Sequence, residues 1–257
     1  MTLTDADLER YSRQLVLPEW SGAAQRKLAE SSVIVVGAGA LGSPALAYLA
    51  GAGVGRIGVV DDDVVETSNL PRQPLHFTPD VGASKAVSAV AKLNLMNPSV
   101  FAEPYPARLE EANAEAIFMG ADVVLDCSDT FATRYVVNDA CCALGTPLVE
   151  AGVLGFDGLV MPIKPGESAC YRCAFPVEPP EGSVPSCREA GVLGPVAGIV
   201  GSIQALEALK LLTGTVPPLT DRIVQIDART LEQTIVSTSR RSDCSACARV
   251  PATAQSG

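Results

Sequence analysis

Glycines and charged side chains in the first third of the chain have the spacing of a nucleotide-binding site. Gly37, Gly39 and Gly42 form a Gly-x-Gly-x-x-Gly pattern between a β-branched run and a helical stretch. Such glycines let the backbone bend tightly and approach a phosphate at the helix N-terminus. Asp61 ends the next predicted strand, where a carboxylate can accept hydrogen bonds from ribose hydroxyls. The pattern predicts a nucleotide site, with simple helix–strand packing as the alternative, and leaves ATP and NAD both open.

Two cations downstream, Arg72 and Lys85, favour ATP over NAD. A dinucleotide dehydrogenase does not need them, whereas an enzyme that handles a triphosphate does, because negative charge builds on the phosphates when the α-phosphorus is attacked. For an arbitrary arginine or lysine, a role as a surface charge would be the better interpretation. The weight of this prediction therefore depends on both residues lying beside the glycine turn.

Four of the eight cysteines form two Cys-x-x-Cys pairs, Cys170 with Cys173 and Cys244 with Cys247. Four thiolates at this spacing suit a tetrahedral structural Zn²⁺. The alternative is a redox pair, which we disfavour because neither pair is expected at the start of a helix that follows a strand. The other cysteines divide into Cys187, beyond a Pro-rich loop, and a group expected in the core: Cys127, Cys141 and Cys142.

Alternating strands and helices must position these groups. The pattern predicts strands at 33–36, 57–60 and 123–125, a strand that starts at 147, and a hairpin over 222–237. Helices are predicted at 4–30 with a break near 17–22, and at 43–51, 83–95, 131–144 and 193–213. This order predicts an α/β fold: a Rossmann-like, doubly wound, mostly parallel sheet with a C-terminal antiparallel extension and a four-cysteine zinc site.

The chain is expected to form one domain over residues 1–248. We divide it into N-terminal helices with a dimer element (1–30), a nucleotide-binding half (31–150) and a carrier-binding and zinc half (151–248). A mobile crossover loop is predicted at 174–190, since it is rich in proline and long for a compact domain. Residues 249–257 are predicted to be a disordered tail.

Composition limits the partners and the compartment. The net charge of −10 makes nucleic acid a poor partner. No signal peptide and no membrane span are expected, so the predicted compartment is the cytoplasm. The one histidine, His76, excludes multi-histidine metal sites and is expected to have a structural role.

Taken together, these segments resemble the E1-like adenylyltransferase family, which includes the molybdopterin-synthase and thiamine-biosynthesis adenylyltransferases. The resemblance covers nearly the whole chain, and the molybdopterin-synthase type, without a rhodanese domain, is the nearest match. It is carried, beside the glycine turn and Lys85, by these segments: 10–14 (RYSRQ), 68–73 (SNLPRQ), 126–129 (DCSD), 170–173 (CYRC), 187–191 (CREAG) and the cysteine pair 244/247.

The resemblance implies roles by position. Asp61 would hold the ribose, Asp129 would bind Mg²⁺, and Arg13 would reach the ATP site of a partner subunit in a homodimer. The implied catalytic set is Arg13, Arg72, Lys85, Asp129 and Cys187. The implied cofactor-binding set is Gly37, Gly39, Ala40, Gly42, Asp61, Asp63, Ser68, Asn69, Arg72, Lys85, Asp129 and Thr130. The sequence departs from the family at Ala40, where glycine is frequent, and Cys187 is either a covalent site or a passive loop cysteine.

The implied activity is ATP-dependent adenylation of the C-terminal glycine carboxylate of a ubiquitin-like sulfur-carrier protein ending in Gly-Gly. The product would accept sulfur from a separate donor, such as a cysteine desulfurase or a sulfurtransferase, and become a thiocarboxylate. The loop 174–190 is expected to guide the carrier's thin tail. The alternatives are a tRNA-modifying relative, an NAD-dependent oxidoreductase and a non-enzymatic zinc scaffold.

Overall fold

The structure is a computed structural model that describes residues 2–180 and 190–250. Cys187 and most of the predicted crossover loop lie outside the described residues, as does the predicted tail from residue 251 onward. The interpretations placed on those segments therefore stay predictions.

Helices and strands alternate through the first two thirds of the chain. The helices are α1 (Asp5–Arg10), α2 (Ser12–Leu15), α3 (Gly22–Glu30), α4 (Gly42–Ala52), α5 (Lys85–Met96), α6 (Glu111–Phe118), α7 (Phe131–Leu144), α8 (Tyr171–Ala174) and α9 (Gly194–Thr213). The strands are β1 (Ser32–Val36), β2 (Arg56–Val60), β3 (Phe101–Tyr105), β4 (Val123–Asp126), β5 (Leu148–Leu154), β6 (Asp157–Ile163), β7 (Arg222–Asp227) and β8 (Glu232–Ser237).

All eight strands form one sheet in the order β3-β2-β1-β4-β5-β6-β7-β8. The first five pair in parallel, and β6 to β8 add an antiparallel extension. The predicted fold class is confirmed. The strand order reverses between β1 and β4, and the carboxyl ends of strands at such a switch point open a crevice for ligands.

Two strands were missing from the sequence prediction. β3 contains Pro104, which cannot donate to a ladder, and proline is tolerated here because β3 is an edge strand that pairs only with β2. β6 contains Pro162, and only two residues separate it from β5. The sequence pattern therefore gave no clear start or end for this strand. The boundary that we predicted between residues 150 and 151 falls inside β5, and a single sheet crosses it.

Helix α9 is mostly apolar, and one side of it packs in the core against α3, α4 and the central strands. Its length and composition alone would also suit a membrane span, but half of it is buried within the fold. Gln204, at the helix centre, donates to the carbonyls of Asp126 and Val149 at 2.7 and 2.8 Å. This amide ties α9 to β4 and β5 at the edge where the crevice opens.

Side-chain hydrogen bonds hold both ends of the described part of the chain. Thr4 caps α1 through a capping box with Asp7. At the other end, residues 249 and 250 of the predicted tail belong to the last described turn, and the disorder of the tail stays a prediction. Arg240 donates to the carbonyls of Cys247 and Val250, which holds the last described turn against the fold.

Candidate functional site

The glycine turn between β1 and α4 has a conformation that larger residues could not adopt. Gly37 has φ of +96°, and a Cβ there would lie 2.8 Å from the carbonyl oxygen of Cys127. A Cβ on Gly42 would lie 1.9 Å from the carbonyl oxygen of Gly37. Gly39 is different, because a Cβ there would meet only the Gln73 amide, at 3.7 Å. The space beside Gly39 is therefore open to a ligand, as a phosphate-binding turn requires.

The Ala38 peptide in this turn is held on both sides. Its N–H donates to Oδ2 of Asp61 at 2.7 Å, and its carbonyl accepts from Nε2 of His76 at 2.9 Å. Nδ1 of His76 lies 2.9 Å from the Ser88 hydroxyl, so that hydroxyl donates and the ring is the neutral Nε2–H tautomer. Burial lowers the pKa of His76, which keeps the ring neutral. The structural role predicted for His76 is thus to fix the glycine turn.

Asp61 directly follows β2 and lines the crevice. Its second oxygen accepts from the backbone N–H of Asp63 at 2.9 Å. Burial is the largest influence on this carboxyl and raises its pKa, while the hydrogen bond from Ala38 lowers it. Each oxygen keeps a free lone pair, so the group can still accept a hydrogen bond from a ribose hydroxyl.

Lys85 is brought to the crevice by a closed loop. The backbone N–H of Lys85 donates to the carbonyl of Asp63 at 2.9 Å, and the N–H of Val65 donates to the carbonyl of Ala83 at 2.8 Å. The ammonium of Lys85 pairs with Oδ2 of Asp63 at 2.8 Å. The side chain of Lys85 is only 8 % exposed while that of Asp63 is 54 % exposed. Such burial of a lysine indicates a specific role rather than a surface charge.

The turn after β2 supplies two further polar groups. Asn69 is buried, and its Oδ1 accepts from the N–H of Glu66 at 3.0 Å. Arg72 donates through Nη1 to the carbonyl of Ser68 at 2.7 Å, which directs the guanidinium along the turn. The Ser68 hydroxyl itself bonds to Glu66 rather than to the crevice.

A cavity of about 450 Å³ lies at this edge of the sheet. It collects ten of the predicted cofactor-binding residues: Gly37, Gly39, Ala40, Asp61, Asp63, Asn69, Arg72, Lys85, Asp129 and Thr130. Gly42 and Ser68 do not line it; the first makes room for the turn and the second shapes the loop behind Arg72. Arg13 is exposed on α2 and does not line the cavity either.

The segment after β4 provides the opposite wall. Asp129 is exposed in the cavity, and its carboxylate oxygen is a ligand type that Mg²⁺ prefers. Thr130 caps α7, with its hydroxyl accepting from the N–H of Thr133 at 3.3 Å. Cys127 lies below Asp129 and is buried, as predicted for a core cysteine.

Several cavity residues were not predicted from the sequence: Asp62, Gln73, Arg108, Ser128 and Arg134. Arg108 follows β3. Because that strand was not predicted, the position of Arg108 at the edge of the sheet was not recognised. Arg134 lies inside a helix that the sequence predicted with the correct bounds, and only its burial marks it. Buried arginines are rare unless they are paired. A charged residue on the face of α7 that packs inward was therefore the sequence signal that could have identified Arg134.

A second, mostly apolar groove of about 530 Å³ runs from this cavity across the antiparallel part of the sheet. Its floor is formed by residues of β5, β6 and β7, and its sides include Phe131 and Phe175. Acidic residues stand along it: Asp129, Asp157, Asp227 and Glu232. The two cavities share three lining residues, Asp129, Arg134 and Val153.

A buried carboxyl pair lies behind the junction of the cavities. Asp126 and Glu150 are register partners on β4 and β5, and both are fully buried. Glu150 Oε1 accepts from Nη1 of Arg134 at 3.0 Å, whereas no donor among the described residues reaches its Oε2 or Oδ2 of Asp126. Burial and the adjacent Asp126 raise the pKa of Glu150 well above its ordinary value, although Arg134 opposes this. A proton on Glu150 would supply the donor that these two oxygens lack.

Replacement of Glu150 by glutamine is therefore expected to preserve the fold and to flatten the pH dependence of stability. Because the folded-state pKa is raised, the contribution of Glu150 is complete below about pH 4.3 and is lost as the pH rises towards the folded value. Glutamine mimics the protonated form and removes that loss, which amounts to at most about 1.4 kcal/mol per pH unit. Urea unfolding at pH 5 to 9 measures the effect.

The matched control is Glu207→Gln, which changes an equally buried carboxylate that pairs with Lys210 and accepts from the N–H of Leu219. This change is expected to lower the free energy of unfolding at neutral pH. A similar loss in Glu150→Gln would show instead that Glu150 is ionised and neutralises Arg134.

The four cysteines of the two Cys-x-x-Cys pairs meet at one buried point, with all four sulfurs within 4.8 Å of one another. The sulfur–sulfur distances include 3.5 Å from Cys170 to Cys244 and 3.4 Å from Cys173 to Cys247. A tetrahedral zinc site with bonds of about 2.3 Å places its sulfurs about 3.8 Å apart, so the cluster fits such an ion. One expectation is wrong, because Cys170 occupies the N-cap position at the start of α8, although α8 is a single turn and the Cys170 side chain makes no capping hydrogen bond.

Known proteins resemble this chain in sequence and fold. The sulfur carrier protein adenylyltransferase of Thermus thermophilus is 47 % identical over 256 residues, which cover 98 % of this chain and 94 % of that protein. The adenylyltransferase and sulfurtransferase MOCS3 of Sus scrofa is 47 % identical over 250 residues, and the chain spans 55 % of its length. The crystal structure of E. coli MccB with MccA-N7isoASN superposes with a TM-score of 0.84 at 23 % identity, covering 93 % of this chain and 74 % of that one.

The sequence model of the ThiF family matches residues 11–246. That range includes the glycine turn, every predicted residue that lines the cavity and three of the four clustered cysteines. This chain therefore belongs to the ThiF family.

Proposed function

We propose that this protein is an ATP-dependent adenylyltransferase that activates the C-terminal carboxylate of a ubiquitin-like sulfur carrier. The observation that carries the proposal is the meeting of Arg72, Lys85 and Asp129 in the same cavity as Gly39. An NAD-binding crevice would not require a lysine as deeply buried as Lys85. The name of the Thermus thermophilus relative supports the same substrate class.

The reaction needs no general base, because a carboxylate is already ionised at neutral pH. One carboxylate oxygen attacks the α-phosphorus of ATP, a new oxygen–phosphorus bond forms, and the bond from that phosphorus to the β-phosphate oxygen breaks. The electron pair leaves with pyrophosphate, and the acyl-adenylate remains. Catalysis then depends on positioning and on stabilising charge at the phosphates.

The residues of the cavity would have different roles in this reaction. Lys85, Arg72 and Asn69 would hold the phosphates, and Asp61 would hold the ribose. Asp129 would hold Mg²⁺, and the ion would supply charge neutralisation at the phosphates. The clustered thiols would hold a structural Zn²⁺ that joins α8 to the segment after β8. Cys187 stays a candidate for covalent chemistry with the carrier.

The groove gives the carrier a path to the nucleotide. It is apolar along its floor, joins the nucleotide cavity at Arg134, and suits an extended tail whose final glycines are thin enough to enter. The activated carboxylate would then accept sulfur from a separate donor, such as a cysteine desulfurase or a sulfurtransferase. We place this work in the cytoplasm.

A homodimer would complete the site. The exposed position of Arg13 outside the cavity of its own chain supports a role for that guanidinium in the cavity of a partner copy. Extra positive charge there would act on the phosphates in the same way as Lys85.

Exchange of labelled pyrophosphate into ATP tests the proposal directly. The purified protein with Mg²⁺ and a recombinant ubiquitin-like sulfur carrier ending in Gly-Gly is expected to catalyse exchange, and intact-mass measurement should find the carrier–AMP adduct. Exchange that responds to tRNA and not to any carrier would favour the tRNA-modifying alternative. NADH binding without ATP binding would favour an oxidoreductase.

A further inference from the structure

Arg134 stands where the nucleotide cavity and the apolar groove meet. It is the one lysine or arginine among the described residues that line the groove, and it also lines the nucleotide cavity. Of the other two shared residues, Asp129 is anionic and Val153 is apolar. Among the lining residues that the structure describes, the positive charge available to an anion in the groove therefore lies at the entrance to the nucleotide cavity.

The fold holds this guanidinium in place. Nη1 donates to Oε1 of Glu150 at 3.0 Å, and Nη2 donates to the carbonyl of Ser128 at 3.4 Å. The ring of Phe131 lies 5.6 Å from the guanidinium carbon. The side chain is only 11 % exposed. The Tyr171 side chain also hydrogen-bonds to the guanidinium. A guanidinium carries five N–H donors in a planar fork, more than these three hydrogen bonds consume, so donors remain for a ligand.

Gly152 makes this position possible. A Cβ on Gly152 would lie 2.7 Å from Nη1 of Arg134 and 3.0 Å from Nη2. The glycine has no unusual backbone angle, since it is absent from the positive-φ residues of the described chain. The absence of a side chain at Gly152 therefore makes room for the guanidinium and is not required by a turn. Substitution of Gly152 can displace Arg134 without removing its charge.

The charges around Arg134 favour one kind of ligand. The buried carboxyl pair Asp126 and Glu150 sits behind the guanidinium, and Glu150 accepts from its Nη1 at 3.0 Å. Further along the groove, Asp157 and Asp227 pair with Arg229, which does not line the groove, and Glu232 is acidic. Among the described lining residues, only Arg134 therefore offers positive charge to an anion. A planar carboxylate at the end of an otherwise uncharged tail matches this arrangement, because guanidinium and carboxylate groups pair through two parallel hydrogen bonds.

We propose that Arg134 receives the terminal carboxylate of the tail in the groove and directs one of its oxygens at the α-phosphorus. This assignment rests on the proposed function and adds to it a residue that selects the substrate's chain end. Arg134 acts on the carrier rather than on ATP, which distinguishes it from Lys85 and Arg72.

The test compares a carrier ending in a Gly-Gly carboxylate with the same carrier ending in a Gly-Gly carboxamide. Binding of each is measured in the presence of a non-hydrolysable ATP analogue. The wild-type protein is expected to prefer the carboxylate by about 10- to 100-fold, the range of a charge-assisted bidentate contact. The double variant Arg134→Gln/Glu150→Gln should bind both forms equally and keep its affinity for the ATP analogue. The double change avoids leaving Glu150 buried without its partner.

Gly152→Ala provides a second, independent variant, expected to reduce the same preference because its Cβ displaces the guanidinium. Two controls should retain the preference: Glu150→Gln alone, and Gly51→Ala, where a new Cβ meets nothing within 4 Å. A carboxylate preference that survives in both test variants overturns the role of Arg134, and so does an equal loss of ATP-analogue binding. A wild-type protein that shows no carrier-stimulated exchange overturns the proposed function itself.

Discussion

Replacement of Lys85 by alanine is expected to lower carrier-stimulated ATP–pyrophosphate exchange by about 100- to 1,000-fold, the usual cost of removing one group that stabilises transition-state charge. The fold should tolerate the change, because the ion-pair partner that it leaves among the described residues, Asp63, is half-exposed. Initial exchange rates and thermal melting of the same preparation separate lost catalysis from lost folding.

Lys92→Ala is the matched control. Lys92 lies two turns further along α5, is also mostly buried and also pairs with a carboxylate, that of Asp80. It does not line the nucleotide cavity. Its loss should leave exchange close to the wild-type rate. If Lys85→Ala retained more than about a tenth of the wild-type exchange, the proposed role of the lysine in charge stabilisation would be untenable.

The same variant can reveal the homodimer. If Arg13 acts in the partner's site, Arg13→Ala and Lys85→Ala chains are each inactive, but a mixed dimer contains one complete site. Random reassortment of the two chains should then restore about a quarter of the wild-type exchange, since half of the dimers are mixed and each has one working site. Additive residual activities with no recovery would place Arg13 outside the chemistry.

Removal of the clustered thiols is expected to have the largest effect on stability. The purified protein should contain one zinc ion per chain, and Cys244→Ser/Cys247→Ser should contain none. The loss of the metal frees the segment after β8 from α8, and the melting temperature should fall by about 10 °C or more. Elemental analysis and calorimetry measure the two effects.

Cys141→Ala serves as the control for this experiment. Cys141 is buried in α7 and does not belong to the cluster, so its replacement should leave the zinc content unchanged. A protein isolated without metal and with a disulfide inside one Cys-x-x-Cys pair would instead support the redox alternative.

The fold could be predicted from sequence wherever local pattern and tertiary structure agree. The buried strand 33–36 and helix α7 were predicted closely, because a β-branched run and a helix with a clear cap and a C-terminal glycine carry strong local signals. β3 and β6 were missed because each contains a proline, which argues against a strand in the sequence pattern. Only the observed pairing shows that β3 tolerates its proline at the sheet edge and β6 tolerates its proline between two neighbouring strands.

The site was predictable in so far as it lies on one short stretch of chain. Asp61, Arg72 and Lys85 follow the glycine turn within 50 residues, so spacing alone suggested a shared role. Arg134 was not predictable in this way. Its partners Glu150 and Gly152 lie on β5, and the groove it faces is built from strands further along, so its meaning depends on sheet register.

The peptide unit of Ala38, fixed by Asp61 on one side and His76 on the other, has a thermodynamic consequence. Ordering a flexible residue costs about 1–2 kcal/mol of conformational entropy, and a loose phosphate loop would have to lose it each time a nucleotide binds. In this protein the entropy is lost once, when the chain folds. The free energy of the contacts with the phosphates and ribose therefore contributes fully to nucleotide affinity, and the turn stays ordered when the nucleotide product is released.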